Sequence, residues 1–446
     1  MIAITYLGLL MFMLFIEKIR PKETKLDFLT WFHLIFALAY VFPAFLLEAN
    51  FGNQVAEMNY DSPSYISNNE TIFAIFLAYF LVVISFYSKS AKKMGGNIII
   101  RKAPRDRTVI IYAIVLLLVS CLSIQIYGAQ YGGVIVALAQ TNLIRSNAVA
   151  ESGPLLFFKN FMFASFFGSY LLASLIFIRK IKQGRLILIV IFLFSVIISL
   201  IAATLTSGRI PLINYFLGFY LVYVISTEKF SLNYSMIFIF IITLFLLYGK
   251  AFFFSLTAIP DGFVAVVETF VKAIESQPDS EGFSLYKLMA NFSYPVNSLD
   301  VAFEKIYQER FFLDWIYGFV SFIPQRLINL NLPPSAADVN TEYLVGPVTY
   351  GIPPGFLAFS IYSMSWPGLI ILCWVYGWIG RYLQTILINH MNQIYWMPFL
   401  FVLTFVTWGD YQPSGDPEVF LKAYFWFFAS SIILIFVLSK ITLINK

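Results

Sequence analysis

Long apolar runs alternate with short polar loops along almost the whole chain. A helix that crosses a membrane needs about 20 mostly apolar residues, and many of these runs approach that length. The pattern therefore predicts an all-α polytopic integral membrane protein, a single membrane domain over 1–446 with about eleven transmembrane helices. The predicted spans are 1–17, 28–47, 71–88, 108–127, 157–178, 186–204, 210–226, 235–255, 366–388, 394–408 and 419–438.

One segment, 256–365, breaks this alternation because it is polar, proline-rich and acidic. We expect it to form one large loop outside the membrane that contains short helices. Apolar residues recur at helical spacing over 261–276, and 283–309 is predicted to hold one or two helices broken near Pro295.

The second half of this loop mixes an apolar stretch with a proline-rich and glycine-rich one. Residues 311–323 are too apolar for a loop in water and too short to span, which favours a re-entrant or interfacial segment. Residues 324–365 are predicted to be irregular. Irregular backbone near a membrane is tolerated only where it lines a cavity or is buried in protein, so this stretch is a candidate place for chemistry.

Composition supports the membrane class and excludes several others. The chain has 446 residues, of which 60% are hydrophobic and 12% are charged, whereas soluble domains carry about 25% charged residues. The net charge of +5 does not indicate nucleic-acid binding, because it follows from basic loops on one side of a membrane. Cys121 and Cys373 both fall in apolar runs, so the sequence predicts neither a disulfide framework nor a cysteine metal site.

The distribution of charge predicts the orientation. If the N-terminus is outside, every second loop lies inside, and these loops carry most of the basic residues while the acidic residues collect on the other side. The basic residues placed inside are Lys18, Arg20, Lys22, Lys25, Lys89, Lys92, Lys93, Arg101, Lys102, Arg105, Arg107, Arg179, Lys180, Lys182, Arg185, Lys229, Arg381, Lys440 and Lys446. The first span has no basic segment before it and no small-residue cleavage site, so we expect it to be retained. The large loop 256–365 then lies outside.

The outside loop contains no histidine. His33 is predicted on the inner half of the second span and His390 in an inside loop. Chemistry at the outer face is therefore expected to proceed without histidine as acid, base or metal ligand. The inside loops carry no nucleotide-binding motif and are too short for an ATPase domain, so we expect no metal, no cofactor and no use of ATP.

Four cations at the outer ends of helices or in outer loops are candidate ligands for an anionic group. They are Arg209 in TSGRIP (206–211), Lys250 near the end of the eighth span, Arg145 in the loop 128–156, and Arg326 in IPQR. Arginine suits a phosphate because its planar fork binds two oxygens and stays charged. The alternative is that these side chains reach to the membrane surface or balance the acidic loop.

Two carboxylates of the loop are candidate general bases. Asp338 and Glu342 flank Asn340 and Thr341 just before a cluster of glycine and proline. Most other acids of the loop lie on amphipathic stretches and are expected to be solvated. Asp410, Asp416 and Glu418 form a second acidic cluster on the same side.

These features resemble the Wzy-type oligosaccharide repeat-unit polymerases of bacterial O-antigen and capsule synthesis. The shared plan is a set of ten to fourteen spans with a large late outer loop. SGRIP with Arg209 is similar to the arginine-bearing turn of that family, and IPQR with Arg326 to its Ile-Pro-x-Arg element. The stretch 340–368, which contains GIPPG, is similar to its glycine-proline element before a span.

The resemblance implies transfer of a growing glycan from undecaprenyl diphosphate to the next lipid-linked repeat unit, at the outer face of the bacterial inner membrane. The N-terminus would lie in the periplasm and the C-terminus in the cytoplasm. Arg209 and Arg326 would be catalytic by stabilising the leaving diphosphate, with Arg145 and Lys250 as further ligands. Asp338 or Glu342 would accept the proton of the acceptor hydroxyl.

The implied partners are an undecaprenyl-diphosphate-linked oligosaccharide and membrane lipid, with no nucleic acid and no nucleotide sugar. A chain-length regulator protein is left open as a partner. The nearest alternative is an O-antigen ligase, but members of that family use a histidine in the large outer loop, which this loop lacks. A lipid-linked oligosaccharide flippase or another transporter is a further alternative, although no internal repeat is apparent.

Overall fold

A computed structural model describes residues 2–51, 68–145, 155–206, 209–229, 231–275, 292–305, 309–323, 332–348 and 351–443. Helices account for most of these residues, because a backbone in lipid must satisfy its own hydrogen bonds and a helix does so within one segment. The protein is an all-α polytopic membrane protein, as the apolar runs predict.

The α-helices follow one another closely. They are α1 Ile2–Ile19, α2 Phe28–Phe36, α3 Phe42–Leu46, α4 Asn69–Phe86, α5 Lys89–Gly96, α6 Asp106–Ala129, α7 Val134–Ala139, α8 Thr141–Arg145, α9 Ala164–Ala173, α10 Arg185–Leu205, α11 Arg209–Thr227, α12 Leu232–Ser255, α13 Phe263–Glu275, α14 Tyr294–Glu304, α15 Asp314–Val320, α16 Ala336–Val345, α17 Gly355–His390, α18 Met397–Ser414 and α19 Pro417–Ile432. Turns of π-helix or 3₁₀-helix extend several of them, at Ala37–Val41, Leu47–Phe51, Leu156–Phe161, Ser174–Ile178, Leu256–Asp261 and Ile433–Val437.

Nine helices within the described residues are long and apolar enough to cross a membrane. They are Ile2–Ile19, Phe28–Ala49, Asn69–Phe86, Asp106–Ala129, Phe157–Ile178, Arg185–Leu205, Ile210–Thr227, Gly355–His390 and Pro417–Val437. A tenth candidate is the pair of segments Leu232–Phe245 and Leu247–Asp261, which together cover α12 and the turn that follows it and are bent by 55° relative to each other. The predicted span 394–408 corresponds to α18, which is less apolar than these helices and packs among them with most of its residues buried.

The two ends of the bundle differ in charge and content. We call the end that carries α13–α16 the loop face, and the opposite end the basic face. At the basic face two strands, β1 Ile98–Lys102 and β2 Lys440–Leu443, form a small antiparallel sheet in which Ile99 pairs with Thr442. This sheet ties the C-terminal segment to the loop between α5 and α6.

The centre of the bundle is aromatic and closely packed. The ring of Tyr376 on α17 stacks on Trp408 of α18 with centroids 4.2 Å apart. Gly377 lets α17 approach α4, because a Cβ there would collide with the Val82 carbonyl and the Ser85 hydroxyl. Small residues at such crossings bring the helix backbones together, and α17 and α18 thereby form the scaffold on which the loop face is built.

Candidate functional site

The described parts of the segment 292–365 pack back onto the membrane helices. Helix α14 is almost completely buried, and its Asp300 carboxylate accepts hydrogen bonds from the Asn68 amide at 3.1 Å and from the Thr71 hydroxyl at 2.8 Å. Asp300 thus fixes α14 to the beginning of α4. Pro295 lies in the first turn of α14, where the missing N–H costs nothing, so a helix begins at the position of the predicted break. Residues 283–291, which precede it in the predicted helical stretch, lie outside the described residues.

The predicted irregular stretch 324–365 contains helix where the structure describes it. Helix α16 covers Ala336–Val345, and the first half of α17 begins at Gly355. The expectation of irregular structure there is wrong, because Ser335 and Asp338 form a capping box that starts α16. The spacing of these two residues is a helix-start signal that was present in the sequence.

Asp338 and Glu342 consequently lie on a helix, four residues apart on one exposed face of α16. One Asp338 oxygen accepts the Ser335 amide at 3.1 Å and the Ser335 hydroxyl at 2.8 Å. Asp338 therefore has a structural task in addition to any chemistry. Glu342 is exposed on the next turn.

The opposite face of α16 is anchored in the protein. Asn340 is fully buried, and its amide nitrogen donates to the Ser298 hydroxyl at 3.0 Å and to the Ile352 carbonyl at 2.9 Å. Its amide oxygen accepts the Tyr362 hydroxyl at 3.1 Å. These bonds lock α16 between α14 and α17, so the face with Asp338 and Glu342 is held in place.

Asp416 joins two helices at the loop face. One of its carboxylate oxygens accepts the Ala337 amide of α16 at 2.7 Å. The other accepts the Glu418 and Val419 amides of α19 at 2.7 and 3.1 Å. A negative charge at two helix N-termini is favourable, since it satisfies orphan N–H groups and complements both dipoles. Asp416, a member of the second acidic cluster, is thus a buried cap.

Helix α17 is broken near its loop-face end. Met364 and Ser365 have non-helical dihedral angles, with Ser365 at φ 52° and ψ −140°. The amides of Arg310 and Phe311 donate to the Tyr362 and Ser363 carbonyls at 3.3 and 2.8 Å, so neighbouring backbone satisfies the end of the first half. The predicted start of a span at 366 coincides with this break.

The segment 309–323 packs against this break through the backbone contacts of Arg310 and Phe311. Arg310 forms a largely buried ion pair with Asp314, with Nε 2.8 Å from Oδ1, and donates to the Pro334 carbonyl at 2.7 Å. Helix α15 packs against α19, and two of its apolar residues, Ile316 and Phe319, are exposed at the surface. The interfacial or re-entrant position of 311–323 stays a prediction.

The predicted cations lie on elements that meet around α12. Arg209 is the first residue of α11, Arg145 is the last residue of α8, and Lys250 is exposed on α12 near its loop-face end. Both α8 and α11 contact α12. Arg326 lies outside the described residues. The fold therefore brings three of the four cation-bearing positions to one side of the bundle.

An apolar groove of about 230 Å³ lies on this side, between α10, α11 and α12. Its lining residues are Leu200, Thr204, Leu212, Ile213, Phe216, Phe238, Ile241, Ile242, Phe245 and Phe252. Phe216 is 43% exposed and Ile241 52% exposed, so the groove opens towards the lipid. The lining residues of α10 and α11 lie in the halves of those helices nearer the loop face, and α12 contributes residues from both of its halves. Sequence patterns did not indicate this groove, because lipid-facing and groove-lining residues are equally apolar.

Arg209 stands at the loop-face end of the groove. Leu212, Ile213 and Phe216 follow it by three, four and seven residues, which places all four positions on one stripe of α11. An apolar groove with a cation-bearing position at its loop-face end suits a lipid that has a long tail and an anionic head.

The basic face holds a buried ionic network. Arg20 binds Asp27 through two contacts of 2.7 and 2.6 Å and also Glu17 at 2.6 Å. His33 places Nδ1 2.9 Å from the same Glu17 carboxylate and Nε2 3.3 Å from the Tyr79 hydroxyl. His33 thus lies at the end predicted for it, and this network ties α1 to α2 and α4.

A second ion pair at the basic face involves Glu23, in the loop between α1 and α2. Arg381 of α17 contacts its carboxylate at 2.7 Å, and Gln384 and Lys92 are also within 3.3 Å. Partial burial favours the neutral acid, but the hydrogen bond and charge of Arg381 favour the carboxylate more strongly, so the pKa of Glu23 lies below its ordinary value. His390, also at this face, contacts the backbone of Ile98 and Ile100 in β1.

Within the described residues, no group of three or more histidine, cysteine and acidic side chains is arranged to hold a metal ion. Comparisons with protein-family models, with curated proteins and with solved structures each gave no significant match. The functional argument therefore depends on the residues and their geometry.

Proposed function

We propose that the protein is a membrane glycosyltransferase that polymerises oligosaccharide repeat units carried on undecaprenyl diphosphate, at the outer face of a bacterial inner membrane. The observation that supports this best is the apolar groove of α10, α11 and α12, which runs towards the position of Arg209. A polyprenyl chain would occupy the groove and continue into the lipid, and its diphosphate would meet Arg209 and Lys250.

The reaction requires a group that stabilises the leaving diphosphate and a general base that accepts the proton of the acceptor hydroxyl. As the acceptor hydroxyl attacks the anomeric carbon, the bond from that carbon to the diphosphate breaks, and the electron pair leaves with the polyprenyl diphosphate. Guanidinium groups placed at that diphosphate would stabilise the charge that develops on it. Arg209 and Arg326 are proposed for this task, with Arg145 and Lys250 as further ligands. Asp338 and Glu342 are two candidate carboxylates for the acceptor proton.

The packing of the loop face supports reaction between two lipid-linked substrates. Helices α14–α16 are anchored on α4, α17 and α19, so the loop is a cover on the bundle and the substrates would bind between the two. Holding two reactants in register can contribute about 7–11 kcal/mol of the barrier reduction. No nucleotide is required in this reaction, because the donor is already activated by its diphosphate.

The decisive experiment is reconstitution of the purified chain into liposomes with lipid-linked repeat units and no nucleotide. A ladder of longer lipid-linked glycans supports the proposal. Transfer of the glycan to lipid A–core alone would identify a ligase, and movement across the bilayer without new bonds a flippase. A protein that is folded and inert with all of these substrates would contradict the proposal.

The groove can be tested with a matched pair of variants on α12. Ile241→Trp fills the groove from an exposed position, whereas Ile239→Trp adds the same ring at a position 62% exposed that does not line it. Loss of one apolar subsite lowers the rate by about 10-fold or more. We expect that loss for Ile241→Trp alone, and equal activity of the two variants would exclude the groove as the tail site.

A further inference from the structure

A second polar feature of the loop face lies on the other side of α11 from the groove. It consists of four partly exposed side chains from four helices, Asn214 of α11, Tyr294 of α14, Asp410 of α18 and Tyr424 of α19. We call this set the acid crevice. At 100° per residue, Asn214 points roughly opposite to the stripe of Leu212, Ile213 and Phe216.

The contacts within the crevice centre on Asp410. The Tyr424 hydroxyl donates to one Asp410 carboxylate oxygen at 2.9 Å, and the side chain of Asn214 interacts with the same tyrosine. The ring of Tyr294 lies close enough to Asp410 for the two groups to interact electrostatically. Within the described part of the chain this carboxylate has that one hydrogen bond and no ion pair.

The three buried acids in the described part of the loop face already have structural roles. Asp300 fixes α14 to α4, Asp314 pairs with Arg310, and Asp416 caps α16 and α19. Asp410 differs from them because no cation of the described residues pairs with it. A carboxylate without such a partner in a partly exposed crevice is costly unless it acts on a bound group. Phenol rings that flank a carboxylate and an amide also suit a sugar, since ring faces pack on its carbons and polar groups bind its hydroxyls.

We propose that the acid crevice binds the acceptor sugar and that Asp410 is the general base which takes the proton of the attacking hydroxyl. The inference rests on the proposed function and assigns the acceptor side of the same reaction. The acceptor oxygen forms a bond to the anomeric carbon, its proton passes to Asp410, and the bond to diphosphate breaks with the electron pair on polyprenyl diphosphate. Asp410 then returns the proton to water.

The two sides of α11 explain how donor and acceptor meet. The donor tail lies along the groove stripe, and Asn214 lies about 7.5 Å along the axis from Arg209, at 1.5 Å per residue. Helix α11 thus separates an apolar substrate chain from a polar acceptor and carries Arg209 at the end where both are accessible. Asp410 lies about one turn from the end of α18, at the same face.

The test compares Asp410→Asn with Glu268→Gln, which removes an exposed acid of α13, in the liposome assay with lipid-linked repeat units. Loss of a general base costs about 100-fold or more in rate. We expect that loss for Asp410→Asn and a rate close to wild type for Glu268→Gln. Undecaprenyl diphosphate should raise the unfolding temperature of the wild type and of Asp410→Asn equally, because the groove and Arg209 are unchanged.

Each outcome decides between the hypotheses. If the wild type makes no ladder and is not stabilised by undecaprenyl diphosphate, the proposed function itself fails. A wild type that makes ladders together with a fully active Asp410→Asn overturns the role of Asp410. If Asp410→Asn does not accumulate in the membrane, Asn214→Leu decides, since it alters the crevice and keeps the carboxylate. We then expect about a 10-fold higher acceptor concentration for half-maximal rate, and an unchanged concentration would refute the crevice as the acceptor site.

Discussion

The backbones of Gly355 and Gly415 are in direct contact at the loop face. Both residues have positive φ, 75° and 61°, and a Cβ at Gly415 would stand 2.6 Å from the Phe356 amide nitrogen. Gly355 begins α17 after two prolines, and Gly415 ends α18 just before the Asp416 cap. This contact explains the glycine-proline element of the sequence as a packing site between two helix ends.

Gly415→Ala should therefore destabilise the protein by more than the strain of its backbone alone. A positive φ costs an alanine about 1–2 kcal/mol, and the collision with the α17 backbone adds about 1–3 kcal/mol. Unfolding in detergent measures the sum. Gly132→Ala is the control, because Gly132 also has positive φ (89°) but open space at its Cβ. Equal losses for both variants would show that the Gly355 contact contributes nothing.

Asp416→Ala should lower the free energy of unfolding by about 2–4 kcal/mol. Three buried or partly buried amides on two helices lose their acceptor, and one capping interaction alone is worth about 0.5–2 kcal/mol. Asp261→Ala removes the same charge from an exposed position of the loop face and should have little effect. If the two variants unfold alike, Asp416 is not the joint between α16 and α19.

Much of the fold follows from the sequence, and the differences have physical causes. Apolar length predicts the membrane helices, and the distribution of charge predicts that Arg20, Glu23 and Arg381 lie at the same end of them. Periodicity does not separate the buried first half of α17 from a lipid-facing helix, because both are apolar. The predicted span therefore began at 366, where the break at Ser365 actually divides one longer helix.

The candidate site was only partly predictable. Arg209 and Lys250 can be selected from the sequence, because a charge at membrane depth costs free energy and is usually kept for a function. The groove could not be predicted from the sequence, because it depends on which helices are neighbours in the fold. Asp410 could be recognised from sequence only as one of three clustered acids. Its distinction from Asp416 is purely tertiary, since Asp416 caps two helices and Asp410 pairs with no cation among the described residues.

Arg20→Met should be strongly destabilising, by about 3–5 kcal/mol, because it leaves Asp27 and Glu17 without their buried cation. The matched control is Arg179→Met. Arg179 pairs with Asp106 at 3.4 Å and its side chain is 56% exposed, so this pair should contribute less than about 1 kcal/mol. Thermal unfolding of both variants in one detergent gives the comparison. Similar values would mean that the buried network adds no stability over a surface pair.

Glu23 should make stability depend on pH in the acidic range. Its pKa is lowered in the folded protein, so its contribution is present above its ordinary pKa of about 4.5 and is lost as pH falls through the lower folded value. The effect is at most about 1 kcal/mol, since the carboxylate is one-third exposed. Between about pH 6 and pH 3, the unfolding temperature of Glu23→Gln should therefore fall less than that of the wild type. The exposed Glu268→Gln should leave the profile unchanged, and the same flattening there would refute the assignment to Glu23.

Arg209→Ala should leave the protein in the membrane and stop chain growth, so that single-repeat glycolipid accumulates. Removal of one preorganised stabiliser of the leaving group costs about 100–1,000-fold in rate. Arg209→Lys should also be impaired, since an ammonium group cannot bind two diphosphate oxygens side by side, and Arg326→Lys should behave in the same way. The control is Arg185→Ala, which removes an exposed arginine from the first turn of α10 at the basic face. Glycan ladders from cells that express each variant report the result. Normal ladders with Arg209→Ala would remove Arg209 from the diphosphate site, whereas normal ladders with Arg209→Lys alone would show that a single positive charge is sufficient there.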